Sequence, residues 1–285
     1  MTGNSGTAAQ GPGFSAPSVG PGAGSSTALE LRGIDMHYGY VRALDQIDIE
    51  VRQGEVLGLL GDNGAGKSTL LKVMSGAHQP TSGEIRVHGE TSAFASPADS
   101  THAGIQMVYQ DLALVDAQDI ATNLSLGREI LRKGPLGWLG FVDHKAQRRR
   151  STDELEKLGV RTAAMTRPVE MLSGGQRQVV ALARGATRVS GLPGDDEKRG
   201  ILLLDEPTAA LGYEQTQQVQ SLIRRLADRG VACVLVTHNL PLAVAVCDRI
   251  AVLNRGRKVA DVPVADTDND QLVGWITGAR PSMFV

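Results

Sequence analysis

Along most of this chain, short unbroken aliphatic runs alternate with longer stretches in which apolar positions recur every three or four residues. Residues 56–60 (VLGLL), 105–109, 201–204 (ILLL) and 231–237 (VACVLVT) are of the first kind. Runs that short and that apolar predict strands covered on both faces, as in a parallel sheet. Residues 67–76, 174–186 and 214–229 are of the second kind and predict helices. The succession 201–204, 214–229, 231–237 then reads as strand, crossover helix and neighbouring strand. Further strands are expected at 29–34, 47–51 and 84–88, the last entered through the turn string QPTSG at 79–83. Two more, at 249–253 and 257–262, flank the hairpin signal Asn254-Arg255-Gly256. Between 117 and 170 the pattern turns helical, with 143–158 strongly charged, so a helical lobe inserted into an α/β core is expected there. A short helix over 268–277 closes the series.

Composition narrows the class. The first 27 residues are rich in Gly, Ser, Ala and Pro with almost no charge; they cannot bury enough apolar surface to offset ordering and are expected to be a disordered tail. The rest, 28–280, is expected to form one domain, since 285 residues at 41% hydrophobic content can bury a sizeable core. A net charge of −2 gives no basic footprint for nucleic acid. Cys233, inside an aliphatic run, and Cys247, in an expected helix, read as small buried residues rather than a disulfide or metal framework. No stretch approaches the roughly 18 apolar residues of a membrane span, and the N-terminus lacks the apolar centre of a secretion signal. The chain is therefore expected in the cytoplasm, with any membrane attachment made through a partner.

Candidate chemistry falls at the ends of these elements. Gly61, Asp62, Asn63, Gly64, Ala65, Gly66, Lys67, Ser68 and Thr69 (GDNGAGKST) join a strand to a helix N-terminus. The three glycines let successive N–H groups face phosphate oxygens, and the helix dipole adds partial positive charge. Lys67 supplies a full charge for the β and γ phosphates, Ser68 a hydroxyl for Mg²⁺, and Thr69 a further hydroxyl for a phosphate. Asp205 and Glu206 emerge at the carboxyl end of a buried strand, where ligands of open α/β sheets bind. Asp205 suits Mg²⁺, held through water, and Glu206 an attacking water. Ser173 is a good N-cap for the helix at 174–186, and Gly174 and Gly175 permit close approach of a ligand to its backbone. That makes a second anion-binding helix end, redundant within one chain.

Taken in this order, 61–69, the string LSGGQ at 172–176 and ILLLDE at 201–206 resemble the nucleotide-binding subunit of an ATP-binding-cassette (ABC) transporter, and the resemblance runs from about 29 to 262. It implies an α/β P-loop NTPase fold with a mixed sheet core, an antiparallel β subdomain and an inserted helical lobe at about 112–187. It implies that Tyr38 stacks on adenine, that Gln110 reaches the metal and the attacking water, and that His238 contacts the γ phosphate. Ser173, Gly174, Gly175 and Gln176 would complete the ATP site of a second cassette, identical or different, in a head-to-tail dimer. ATP and Mg²⁺ are the implied cofactors, permease subunits the implied partners, and the cytoplasmic face of the membrane the implied location. Leu112, Leu114, Val115, Ile120 and Leu124 are candidate contacts to the permease or else local core. The strings LLGDNGAGKSTL and LSGGQRQVVALARG are most similar to importers of monosaccharides such as ribose, xylose and fructose, which add a sugar-binding protein. A soluble ABC ATPase acting on ribosomes or DNA, or an exporter cassette, is the alternative. Two departures stand out: Gly212 occupies a position where the family has Asp, and the segment 189–200 is longer than the family's link. Gly212 touches no implied ligand of phosphate or metal, so ATPase activity is expected to survive. No internal repeat is visible, which implies one cassette per chain.

Overall fold

A computed structural model describes residues 26–189, 200–209 and 211–284. The tail at 1–25 and the loop at 190–199 lie outside the described residues. In chain order the elements are β1 (Thr27–Tyr38), β2 (Val41–Arg52), β3 (Val56–Gly61), α1 (Lys67–Met74), β4 (Ser82–Val87), β5 (Glu90–Thr91), α2 (Pro97–His102) and β6 (Ile105–Val108). Then follow α3 (Ile120–Ser125), α4 (Pro135–Trp138), α5 (His144–Lys157) and α6 (Gly174–Val189). The chain returns to the sheet with β7 (Ile201–Asp205), α7 (Tyr213–Asp228), β8 (Ala232–Val236), α8 (Leu240–Val246), β9 (Arg249–Asn254), β10 (Arg257–Pro263) and α9 (Asn269–Thr277).

The central sheet has the order β10-β9-β3-β8-β7-β6, parallel except for β10. A second, antiparallel sheet, β2-β1-β4-β5, covers one of its faces. Alternate residues of the central strands feed opposite sides: Leu57, Leu59, Leu203 and Val234 pack toward the antiparallel sheet and α1, while Val56, Leu60, Leu202 and Leu235 pack against α6, α7 and α8. Both faces being dry is why these strands read as unbroken aliphatic runs. A third cluster, in the helical lobe, gathers Ile120, Leu124, Leu155, Val169 and Leu172. Helix α6 serves two clusters at once, with Val179, Leu182 and Ala186 facing the sheet and Val180 and Ala183 facing the lobe. Among the described residues, no helix is long and apolar enough to cross a membrane.

Two differences from the sequence reading, in β1 and at Cys247, have physical causes, and the local-core alternative holds for two of the five candidate contact residues. Strand β1 starts at Thr27, inside the expected tail, because Ser26 and Thr27 already bond to the partner strand end at Gln53 and Arg52. Ile120 and Leu124 are buried core of the lobe, Leu112 and Leu114 are half-buried, and of the five only Val115 is exposed. Cys247 follows α8 rather than lying in it, in extended backbone at φ −86° and ψ 147°; it is buried beneath Gly58, where a Cβ would stand 2.9 Å from its Sγ.

One ionic cluster ties the two sheets together and a second braces the antiparallel sheet. Glu55, 1% exposed, accepts from Arg249 Nε at 2.7 Å and from the Arg52 N–H at 2.8 Å, while Arg249 also bonds Asp261 and the Glu50 carbonyl. Burial alone would lower the Arg249 pKa; the hydrogen bond and charge of Glu55, joined by Asp261, reverse this and hold it above the ordinary guanidinium value. Removing Glu55 leaves the mostly buried Arg249 charge with Asp261 as its remaining carboxylate partner. We expect Glu55→Ala to cost about 3–5 kcal/mol in urea unfolding, and a loss below about 1 kcal/mol would show the pair to be solvated. In the second cluster Asp35 accepts from Arg42, Gln46 and Ser82, and the Arg42 guanidinium chiefly holds its pKa down to about 2, from 3.8. A depressed carboxyl pKa contributes stability above the unfolded value that is lost as pH falls through the folded one. Wild type should therefore lose stability relative to Asp35→Asn between pH 4 and 2; parallel pH profiles would contradict this assignment.

Candidate functional site

The path of the loop at 61–69 is set by two glycines that stand where no side chain fits. At Gly61, φ 153°, a Cβ would lie 2.4 Å from the Leu253 carbonyl oxygen; at Gly66, φ 105°, it would lie 2.9 Å from that of Ala43. Backbone packing on both sides thus sets the loop's path. Gly64, in contrast, has nothing within 4 Å and faces open space. The loop borders two cavities. One, of about 430 Å³, is lined by Asn63 to Thr69 together with Val41, Arg42, Ala43, Arg255 and Gly256. The other, of about 390 Å³, lies between Gly61, Asp62 and Asn63 and the group Thr237, His238, Leu240, Val273 and Ile276.

Lys67 begins α1 and turns back over the loop, donating to the carbonyls of Gly61 at 2.8 Å and Asp62 at 3.0 Å. Burial lowers its pKa, opposed by the charges of Glu206, Asp62 and Asp205. The sequence-separated groups 67, 205 and 206 are therefore electrostatic neighbours. Asp205 ends β7 half-buried, and burial first, then the adjacent Glu206, raises its pKa, with Lys67 and Lys72 acting the other way. A nearby cation would stabilise the ionised form.

Glu206 sits in left-handed backbone at φ 49°, a conformation that costs a non-glycine residue about 1–2 kcal/mol. Its N–H still bonds Val236 at 3.0 Å, so the turn is fixed by the neighbouring strand and the side chain is aimed across to β8. There Oε1 lies 2.8 Å from His238 Nδ1, and Oε2 accepts from Thr237 Oγ1 at 3.3 Å. Thr237 is fully buried, and its hydroxyl in turn accepts from the Asn239 N–H at 3.1 Å. Asn239 caps α8 through the Leu242 N–H. The sequence reading named His238 but not Thr237; a hydroxyl at the dry end of an aliphatic run was the available signal.

The remaining expected residues sit apart from this group. Gln110 is exposed two residues beyond β6, whose Val108 pairs with Leu204 of β7, so it leaves the sheet at the same edge as Asp205. Tyr38 stands at the end of the β1–β2 hairpin opposite Val41, its ring edge-on to His78 at 5.7 Å; Val41, not Tyr38, lines the cavity over the loop. At the start of α6, Ser173 Oγ accepts from the Gln176 N–H at 3.3 Å while Gln176 Oε1 accepts from the Ser173 N–H at 3.1 Å, a reciprocal cap. Gly174 opens onto free space, but Gly175 is closed by Gln215, whose Cγ lies 2.6 Å from where a Cβ would stand. None of residues 173–176 lines either cavity beside the phosphate loop. Gly212 is the N-cap of α7 with no side-chain bond, and a Cβ there would meet Gln215 Oε1 at 2.8 Å.

Among the described residues, no three His, Cys, Asp or Glu side chains gather to hold a metal by themselves. The exposed Ser68 hydroxyl and the half-buried Asp205 carboxylate are hard oxygen donors. They fit Mg²⁺ as an ion shared with phosphate and water rather than caged by protein.

Comparison with known proteins identifies the family and the fold. The profile of the ABC transporter family matches residues 44–209. A fructose import ATP-binding protein of Rhizobium meliloti is 41% identical over 254 residues, covering 88% of this chain and 94% of that one. An arabinose import ATP-binding protein of Burkholderia thailandensis is 41% identical over 261 residues, covering 91% of this chain but 46% of its own, so the chain spans about half the length of that relative. In structure, the ADP conformation of an ATP-binding cassette of an ABC transporter superposes with a TM-score of 0.71 at 22% identity, covering 88% of this chain and 95% of that one. From its profile match and its identity to these relatives, the chain belongs to the ABC transporter family, as one of its ATP-hydrolysing cassettes.

Proposed function

We propose that this chain, as a single cassette over about 28–280 with its helical lobe at about 112–187, hydrolyses ATP to drive uptake of a monosaccharide through a permease supplied by a sugar-binding protein. It would sit at the cytoplasmic face of the membrane, held there by the permease. The observation that carries the reading is the gathering of Lys67, Asp205 and Glu206 at one sheet edge while the capped, open end at Ser173 and Gly174 stands clear of it. A site with a spare anion-binding end is completed by a second cassette placed head to tail. The fructose and arabinose import relatives support the choice of cargo.

In this reading the loop N–H groups and Lys67 hold the β and γ phosphates of ATP, Thr69 adds a hydroxyl, and Tyr38 takes the adenine. Ser68 and Asp205, with Gln110, would hold Mg²⁺, which supplies positive charge to the phosphate oxygens. Lys67 must first leave the Gly61 and Asp62 carbonyls, which hold it over the loop. Both oxygens of Glu206 are engaged as well. His238 is the freer of its two partners, 77% exposed against a fully buried Thr237. Turning His238 toward the γ phosphate leaves Oε1 to accept a proton from the attacking water, while Thr237 keeps the carboxylate aimed.

Reconstituted with its permease and binding protein in vesicles, the chain should show sugar uptake that depends on ATP; uptake of no sugar, with ATPase activity intact, would remove the cargo assignment. Glu206→Gln should keep ATP affinity within a few-fold and lower turnover by about 10²–10⁴; near-normal turnover would exclude Glu206 as the base. Thr237→Val leaves Glu206 Oε2 and the Asn239 N–H without their partner, and turnover should fall by about tenfold or more with ATP affinity kept. Unchanged turnover would mean that Thr237 aims nothing.

A further inference from the structure

Between α3 and α5 the chain builds an outward-facing apolar clip that no part of the site uses. The Arg132 N–H donates to Phe141 at 2.8 Å, and the Asp143 N–H donates to Ile130 at 2.7 Å, bridging Leu131 to Val142. At its tip the Phe141 N–H returns to the Leu136 carbonyl at 3.0 Å, and Gly137 lies so close to the Arg132 carbonyl that a Cβ would overlap it at 1.7 Å. The backbone is thus knitted into one shape, with its large side chains pointing away from the protein. Trp138 is 94% exposed, Leu139 70%, Phe141 53%, and Leu131 and Leu136 nearly half. Residues 130–142 carry two cations, Arg132 and Lys133, and no acid.

A preformed apolar tip holding a nearly fully exposed Trp beside positive charge matches a fluid apolar surface of negative charge better than a shaped protein partner. We propose that residues 130–142 are a membrane-interface anchor that inserts Trp138, Leu139 and Phe141 among the headgroups of an anionic phospholipid bilayer, with Arg132 and Lys133 on the phosphates. The contact goes beyond the transport reading and needs neither nucleotide nor permease. Its position suits that reading: Leu126, just before the clip, lines a cleft of about 310 Å³ between lobe and core, shared with Tyr109 and Arg188, on the side of the Gln110 loop.

The chain carries its own probe. Of its two tryptophans, Trp275 is 5% exposed and Trp138 is the solvated one. Adding phosphatidylglycerol vesicles to the purified chain without nucleotide should shift its emission to shorter wavelength, with weaker effect for phosphatidylcholine and reversal by salt. Leu139→Asp, and separately the pair Arg132→Glu with Lys133→Glu, should each lower vesicle partitioning roughly tenfold or more while leaving thermal unfolding and basal ATPase activity unchanged. Gly137→Ala, which opens the clip without changing its apolar content, should weaken binding too. No shift on pure phosphatidylglycerol at low salt overturns the proposal. So does a shift seen only with the permease present, which would mark a protein contact, or self-association abolished by Leu139→Asp, which would mark a second copy. Sugar uptake can fail while vesicle binding holds, and the reverse, so this proposal and the transport reading are judged separately.

Discussion

The charge balance around Lys67 is the constraint on which the rest of this molecule depends. A half-buried ammonium is held over backbone carbonyls with Asp62, Asp205 and Glu206 about it, in a place where burial lowers its pKa and those carboxylates act the other way. Asp205 and Glu206 reach the loop, to which Asp62 itself belongs, because β7 lies two strands from β3 in the central sheet, with β8 between them. The sheet order is in turn secured by strands dry on both faces, and the loop's path by glycines pressed against Leu253 and Ala43. Fold and site are therefore one problem in electrostatics and packing: the sheet brings opposite charges together, and their mutual attraction offsets part of the cost of keeping them partly out of water.

Much of this could be read from residue order. The aliphatic runs at 56–60, 201–204 and 231–237 became β3, β7 and β8, and the glycines of the phosphate loop take the positive φ expected of them. The reciprocal cap at Ser173 and Gln176 follows from a serine three residues ahead of a glutamine. What escaped was set by distant partners. The full lengths of β1 and β2 escaped because Asp35, Arg42 and Asp45 interrupt the apolar pattern, and these charges are held by one another across the hairpin. The roles of Ile120 and Leu124 depended on whether Leu155 and Val169 came to meet them. Thr237 could not be linked to Glu206 without knowing that β7 and β8 are neighbours.

Gly212 is instructive in the same way. On the page of sequence it is a missing carboxylate; in the fold it is a gap partly taken by Gln215, whose side chain also closes the space beside Gly175. The start of α7 and the start of α6 thus share one amide.

Helix α6 has one further consequence. Because Val179, Leu182 and Ala186 are locked to the sheet while Val180 and Ala183 are locked to the lobe, the helix behaves as an axle seated in two bearings. Any displacement of the lobe against the sheet would have to shear the packing along its length, so both clusters together set where its glycine-bearing tip stands.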